Sequence, residues 1–449
     1  MIFSVRMCHA QFQTKKMEIQ DLYQLYQQHP TITTDTRNCP TGSIFFALKG
    51  ASFNGNAFAK DAIEKGCAYA VVDESQFAPE GDGRYILVDD VLKTLQDLAA
   101  YHRQQLTIPV LQITGTNGKT TTKELVSTVL CKKYRTLYTE GNLNNHIGVP
   151  RTLLRITPEH EIAVIETGAN HPGEIEFLCR MVRADYGLIT NVGRAHLEGF
   201  GSFEGVKQTK GELYADLSAR GKQAFINAFD DDLMEMGANH GLKIFDTLLP
   251  YVEGRVSEVN PFLQIQWRED DDKPWYTVQT KLIGAYNIAN VRAAISVGLH
   301  FGVPVADINA ALESYQPTNS RSELRKTEKN SLIVDAYNAN PTSMSAALDN
   351  FDFIEAPHKM VILGEMRELG ADSQKEHARI VERLTKTGLE NIWLVGYEFA
   401  KVVSADTRIT LFPTVEEVKE SLTLNPVEGY TILIKGSNGT KLYQIPTLL

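Results

Sequence analysis

Positive charge is the first thing in short supply. The chain carries 45 Lys and Arg against 55 Asp and Glu, a net charge of −10. Affinity for nucleic acid rests mainly on lysines and arginines that neutralise phosphates. No basic, aromatic-rich cluster compensates here, so nucleic acid is excluded as a partner. Any polyanionic ligand has to be met locally, by loops, helix ends and metal ions. Cysteine is also scarce. The five residues, Cys8, Cys39, Cys67, Cys131 and Cys179, are odd in number and scattered, with no CxxC. That argues against a zinc site or a disulfide framework and fits a reducing, cytoplasmic setting. No apolar run approaches the roughly 20 residues that span a bilayer, so membrane insertion is not expected. The opening MIFSVRMCHAQFQTKK lacks the apolar core of a secretory leader. Internal repeats and low-complexity stretches are absent too.

What is present is an ordinary globular composition, 43% hydrophobic and 22% charged over 449 residues. At about 150 residues per domain, that length predicts three domains. Residues 1–16 read as a dispensable extension, because Met17 opens the first periodic helix, MEIQDLYQLYQQ, with apolar Ile19, Leu22, Leu25 and Tyr26. Residues 17–107 alternate helices with the strands SIFFALKG, YAVVDE and ILVDD and form a small α/β unit. Residues 108–315 begin with the strand VLQIT, and IAVIET, YGLITNV and KQAFIN follow with helices between them. That alternation predicts a parallel, doubly wound sheet. FLQIQW and WYTVQT alternate apolar with polar residues around EDDDKP and predict a β-hairpin. The acidic run lacks the ligand spacing of a calcium loop, so it reads as a solvated tip. Residues 316–449 carry SLIVDAY, KMVILGEM, NIWLVG, RITLF and YTILIKG, a further α/β unit.

The sharpest chemical signal is Gly115-Thr116-Asn117-Gly118-Lys119-Thr120, which lies between a predicted strand and a predicted helix. Such a loop turns backbone N–H groups toward phosphate, with the lysine neutralising charge and the threonine hydroxyl available to Mg²⁺. It is a variant of the usual phosphate-loop pattern, since Ile113 stands where the first glycine is expected. Lys119 is expected to face solvent when no nucleotide is bound. Glu166 falls at a strand end, where open α/β sheets place their ligands. His196 follows another strand, and Lys210 lies on the helix after it. Each has a bland reading alone: a helix cap, a loop histidine, a solvated lysine. Behind one phosphate loop they point to a metal–triphosphate site. Asn287 and Asn290, spaced i, i+3, suit a purine edge or a helix cap equally. Arg321 is a forked phosphate partner. Asp335 ends a strand ahead of the turn Asn-Ala-Asn-Pro, and Lys435 lies beside flexible glycines in KGSNG.

Together, TDTR (34–37), FFALKG (45–50), GTNGKTT (115–121), GNLNNHIGVP (141–150), ETGANHPGEI (166–175), AHLEGFGSFEGV (195–206), DAYNANPTSM (335–344), GEMRELG (364–370) and KGSNG (435–439) resemble the Mur ligases, the ATP-dependent amide-forming enzymes of peptidoglycan precursor synthesis. The resemblance runs from about Asp21 to the end of the chain. It implies three domains: one for a UDP-linked substrate, a central phosphate-loop ATPase domain and a Rossmann-like C-terminal domain. Its implied reaction adds D-alanyl-D-alanine to UDP-N-acetylmuramoyl-tripeptide through an acyl phosphate, in the cytoplasm, by a monomer. It assigns the nucleotide to Gly115, Thr116, Asn117, Gly118, Lys119, Thr120 and Thr121, with Asn287 and Asn290 near adenine and Arg321, Asp335 and Lys435 reaching over from the C-terminal domain. One Mg²⁺ falls to Thr120 and Glu166 and a second to His196 and Lys210, the latter as a CO₂-derived carbamate. Lys119, Lys210, His196 and Arg321 form the implied catalytic set. Asn338 faces substrate, and Asp35 and Arg37 lie in the UDP domain. Four positions depart from the family pattern: Asn54 and Asn56 in Asn54-Gly55-Asn56 replace the Asp and His of Asp-Gly-His, Tyr286 replaces a histidine, and Asn438 replaces an arginine. Asn438 is given no role. The ligase that adds the preceding amino acid, and a simple phosphate-loop ATPase or regulator, are the competing readings.

Overall fold

The computed structural model describes residues 17–244, 246–317, 321–403 and 405–449. The proposed extension, 1–16, lies outside the described residues. The chain forms two compact units. One holds the residues up to Thr107 together with Pro150–Ile156, and the other holds Ile108–Val149 and Thr157–Leu449.

In the first unit four short strands, Ile32–Thr33, Ile44–Phe46, Tyr69–Val72 and Tyr85–Leu87, pair in that order, all parallel. Phe45, Ala47, Ala59, Ala62 and Val72 make its core. The helix Ile19–Gln28 buries Leu22 and Tyr26, the stripe expected from its periodicity, and packs against the helix Val91–Gln104. Asp90 caps that second helix through the Lys93 N–H. Pro150–Ile156 belong to this unit for identifiable reasons: the Tyr26 hydroxyl donates to the Leu154 carbonyl, and the buried His102 ring bonds the Ile156 carbonyl.

The second unit holds two six-stranded sheets and a small antiparallel one. The central sheet runs Leu248–Pro250, Gln223–Ile226, Tyr186–Ile189, Val110–Thr114, Ile162–Glu166, Thr136–Tyr138, all parallel. Val110–Thr114 and Ile162–Glu166 are buried at every residue, as strands covered by helices on both faces must be. Successive connections leave Val110–Thr114 first toward one edge and then toward the other. This strand is therefore the switch point, and the loops after it, after Glu166 and after Ile189 open at one edge of the sheet.

The expected hairpin is present as Phe262–Arg268 and Tyr276–Ile283, with Leu263, Ile265, Trp267 and Val278 buried. A third strand, Glu253–Val259, pairs with it and was not anticipated, because its largely exposed sequence, EGRVSEV, carries no apolar alternation.

The last sheet runs Glu323–Lys326, Ser331–Asp335, Thr431–Lys435, Lys359–Gly364, Asn391–Val395, Ile409–Phe412. The five strands from Ser331 onward are parallel, as expected. The polar edge strand Glu323–Lys326 is antiparallel and was missed.

Candidate active site

The phosphate loop is built as its sequence suggests. After the buried strand Val110–Thr114, Gly115 takes φ 140°, and a Cβ there would come within 2.0 Å of the Thr190 hydroxyl. Gly118 takes φ 76° at the N-cap of the helix Lys119–Leu130, and a Cβ there would come within 2.8 Å of the Asn290 side-chain oxygen. Neither position accepts a side chain. Asn191 holds the loop from behind: its carbonyl accepts from the Thr116 N–H and its side-chain oxygen from the Asn117 N–H, each at 3.0 Å. The first turn of the helix carries the orphan N–H groups and positive dipole end that suit phosphate.

Lys119 corrects one expectation, because it does not stand free in solvent. It is half-buried and folds back so that Nζ donates to the carbonyls of Gly115 at 2.8 Å and Thr116 at 3.0 Å. Burial pushes its pKa below the ordinary lysine value, with Glu166 opposing and Arg321 reinforcing the shift.

Glu166 is 1% exposed. Its Oε1 accepts from the Thr120 hydroxyl at 3.1 Å and from the Asn144 amide at 2.8 Å. Its Oε2 is buried with no hydrogen-bond partner. An orphaned carboxylate oxygen beside a hydroxyl, at the foot of a phosphate loop, fits a hard divalent cation. Among the described residues no three His, Cys, Asp or Glu side chains converge into a metal cluster. A cation held by Thr120 and Glu166 therefore draws its other ligands from phosphate oxygens and water.

His196 sits half-buried at φ 50°, its Nδ1 against the carboxylate of Glu368. Desolvation lowers its pKa, with Glu368 opposing. Lys210 is 2% exposed, within the helix Phe203–Ala219. Its Nζ lies 3.5 Å from the Ala169 carbonyl and 5.4 Å from the Phe200 ring centroid. Burial, then the charge of Lys119, lowers its pKa to about 7.

The remaining wall comes from further along the chain. Asn287 donates to the Ile283 carbonyl, Asn290 to Asn287, and Thr122 to Asn290, at 2.8, 2.8 and 3.1 Å. These amides line the cavity while bonded to one another. The Arg321 guanidinium lies 3.6 Å from the centroid of the Tyr337 ring. Tyr286, the departure from the family histidine, shares a hydrogen bond of 2.8 Å with Ser322. Lys435 is 2% exposed and donates to Asp335 at 2.5 Å and to the Asn338 carbonyl at 3.3 Å. The Asn340 amide donates to Asn117 at 2.8 Å and so ties the phosphate loop to the C-terminal section.

Lys119, Thr120, Thr121, Glu166, His196, Asn287, Asn290, Arg321, Asp335 and Lys435 line one cavity of about 980 Å³, whereas Gly115, Lys210 and Glu368 are not among its lining residues. That volume is at the upper end of small-molecule sites. Asp35 and Arg37 belong instead to the first unit, where they form an exposed ion pair with each other, and the Arg37 guanidinium holds the Asp35 carboxyl at about 2. In the same unit Asn56 is fully buried, donating to Asp73 at 2.8 Å, while Asn54 bonds Glu74. Asn144, Asn191, Tyr337, Asn340 and Glu368 were not singled out from sequence. Asn144, Tyr337, Asn340 and Glu368 lie within stretches that carry the resemblance, but nothing about an amide, a ring or a carboxylate in a turn marks it before the fold brings the first three to the cavity and Glu368 to His196.

Comparison with known proteins agrees with this geometry. The family model for the Mur ligase middle domain matches residues 113–298, that for the Mur ligase glutamate ligase domain 320–438, and that for the Mur ligase family catalytic domain 30–103. A Bacillus subtilis relative named UDP-N-acetylmuramoyl-tripeptide–D-alanyl-D-alanine ligase is 33% identical, over 92% of each chain. The chain belongs to the Mur ligase family. An Escherichia coli relative of the same name is also 33% identical over 92% of each chain. Among solved Mur ligases, MurF from Acinetobacter baumannii superposes with a TM-score of 0.80 at 31% identity, covering 93% of this chain and 92% of that one. MurF from Thermotoga maritima, solved in complex with ADP, shares the fold with a TM-score of 0.79 at 24% identity, covering 93% and 96%.

Proposed function

We propose that this Mur ligase joins D-alanyl-D-alanine to UDP-N-acetylmuramoyl-tripeptide, with ATP converted to ADP and phosphate. The observation that carries the reading is the single cavity in which a phosphate loop, the Thr120–Glu166 oxygen pair and the Arg321, Asp335 and Lys435 side chains meet. Two relatives that carry the name of this activity, each 33% identical over 92% of the chain, support it.

A carboxylate is a poor acyl donor, so it is first phosphorylated by ATP. The free amine of the dipeptide then attacks the acyl phosphate, the new C–N bond forms and phosphate leaves with the C–O electron pair. This chemistry is governed by positioning and electrostatics and needs no nucleophile from the protein. The loop backbone and Lys119 hold the phosphates, and Lys119 exchanges its two carbonyl partners for them. Thr120 and Glu166 would hold Mg²⁺, which when bound offsets the repulsion between carboxylate and triphosphate. Arg321 supplies fixed positive charge on the opposite wall, where Lys435 is paired with Asp335, and Asn338 faces the substrates. Asp35 and Arg37 remain assigned to the UDP-linked substrate in residues 17–107, with ATP on 108–315 and the amino substrate on 316–449.

Lys210 fits the proposed carbamate. Its buried amine loses its proton near neutrality, and a neutral amine can add to CO₂ and release a proton; the resulting carbamate oxygens, with His196, would hold a second Mg²⁺. Among the described residues no helix is long and apolar enough to cross a membrane. We place the enzyme in the cytoplasm, as a monomer. The test is ADP release with each amino substrate in turn. Release that depends on D-alanyl-D-alanine is expected, whereas release without any amine would make the protein a plain ATPase.

A further inference from the structure

The segment leaving the strand Lys359–Gly364 is fixed at three successive backbone N–H groups. That of Glu365 donates to the Val395 carbonyl, that of Met366 to Nε2 of the buried His377, and that of Arg367 to the Ser437 hydroxyl, each at 2.9 Å. His377 is fully buried, and its Nδ1 lies 2.7 Å from the Ser373 carbonyl, so its ring is a structural post. Glu368 follows at φ 63°, a left-handed conformation that strains a side-chain-bearing residue. Its carbonyl accepts from the Glu198 N–H at 3.3 Å, and its carboxylate meets Nδ1 of His196, itself left-handed at φ 50°. Two strained residues, one after each sheet, thus meet side chain to side chain, the kind of local strain that clusters at functional sites. Stability does not explain the pair, because the Glu368 side chain is 54% exposed and ion pairs so placed contribute little.

We propose that Glu368 is a positioning residue for the ligase reaction, accepting the Nδ1–H of His196 and so fixing the imidazole in one tautomer and orientation with its Nε2 lone pair left to the cavity. A carboxylate behind a metal-binding imidazole sets which nitrogen is free and raises its basicity. Here the carboxylate is delivered by the C-terminal sheet to a loop of the central sheet. The inference rests on the reading of His196 as part of the cation site, so part of its test is read without substrate or metal.

The test uses full-length Glu368→Ala and Glu368→Gln, with folding checked by melting temperature. In nitrogen-15 imidazole spectra of the unliganded protein, assigned by loss of signal in His196→Gln, the parent should show His196 as the single Nδ1–H tautomer and Glu368→Ala a mixture. In turnover, Glu368→Ala should need roughly 10–100-fold more Mg²⁺ and lose kcat, with the KM for D-alanyl-D-alanine little changed, and Glu368→Gln should keep part of both. An unchanged His196 tautomer, or a wild-type Mg²⁺ requirement, in Glu368→Ala would overturn the proposal. So would a lowered Mg²⁺ requirement, which would make Glu368 a plug over an empty site. Absence of amide product from the parent enzyme would fall on the functional reading instead, since the tautomer is measured without turnover.

Discussion

Lys119 and Lys210 face the same physical problem, a buried ammonium, and meet it differently. Lys119 has two carbonyl acceptors from its own loop, whereas Lys210 has one long contact to Ala169. Replacing Lys119 by alanine should leave the melting temperature near that of the parent and cut turnover by at least about a hundredfold, as for removal of one preorganised transition-state donor. A variant within a few-fold of wild-type activity would mean that the phosphate loop is misassigned. Lys210 makes a different prediction, read in stability. Its pKa falls from 10.5 to about 7 on folding. Between those values the unfolded chain binds a proton that the folded one does not, so the destabilisation from Lys210 is full below the folded value and fades as pH rises. Lys210→Met should therefore be inactive yet melt higher than the CO₂-depleted, uncarbamylated parent at pH 7, with the difference shrinking toward pH 10. The carbamate has its own check: acetate should partly restore Lys210→Ala, and CO₂ depletion should slow the parent enzyme. Rescue by small amines alone would make Lys210 a plain cation.

Elements were legible in the sequence in proportion to how fully they are buried. Val110–Thr114, Ile162–Glu166 and Thr431–Lys435 read as strands because nearly every residue is buried and apolar residues dominate the run. Glu253–Val259 and Glu323–Lys326 escaped because each is a polar strand at a sheet edge. The helix of the phosphate loop ends at Leu130, since the residues after it turn back in short-range hydrogen bonds. For the site, contiguous signals were readable, such as Gly115 to Thr120, whereas Asn144 and Glu368 matter only through partners that are distant in sequence. The helix Pro341–Phe353 shows how an end can serve two purposes. Asn340 forms a capping box with Ser343 and also donates to Asn117 of the phosphate loop. Asn340→Ala should cost about 1 kcal/mol of stability as a lost cap. It should also weaken nucleotide binding, which Asn340→Asp, able to cap but not to donate, separates from the capping loss. Equal nucleotide affinity in both variants and the parent would remove Asn340 from the site.

For the second unit as a whole, the switch point of the central sheet gathers the loops carrying Lys119, Glu166 and His196 at one edge, and the C-terminal sheet contributes Asp335 and Lys435 to the same cavity and Glu368 to His196. Nucleotide should therefore stabilise this unit as one body, by about 2.7 kcal/mol at a hundred times its Kd, seen as a higher melting temperature with Mg-ATP. No shift at saturating Mg-ATP would contradict that reading of the cavity. The reaction itself is tested most directly by mass analysis of products from UDP-N-acetylmuramoyl-tripeptide, Mg-ATP and D-alanyl-D-alanine. The predicted result is UDP-N-acetylmuramoyl-pentapeptide, formed only when all three are present. Efficient addition of a single amino acid to the dipeptide precursor, with no transfer of the dipeptide, would contradict it.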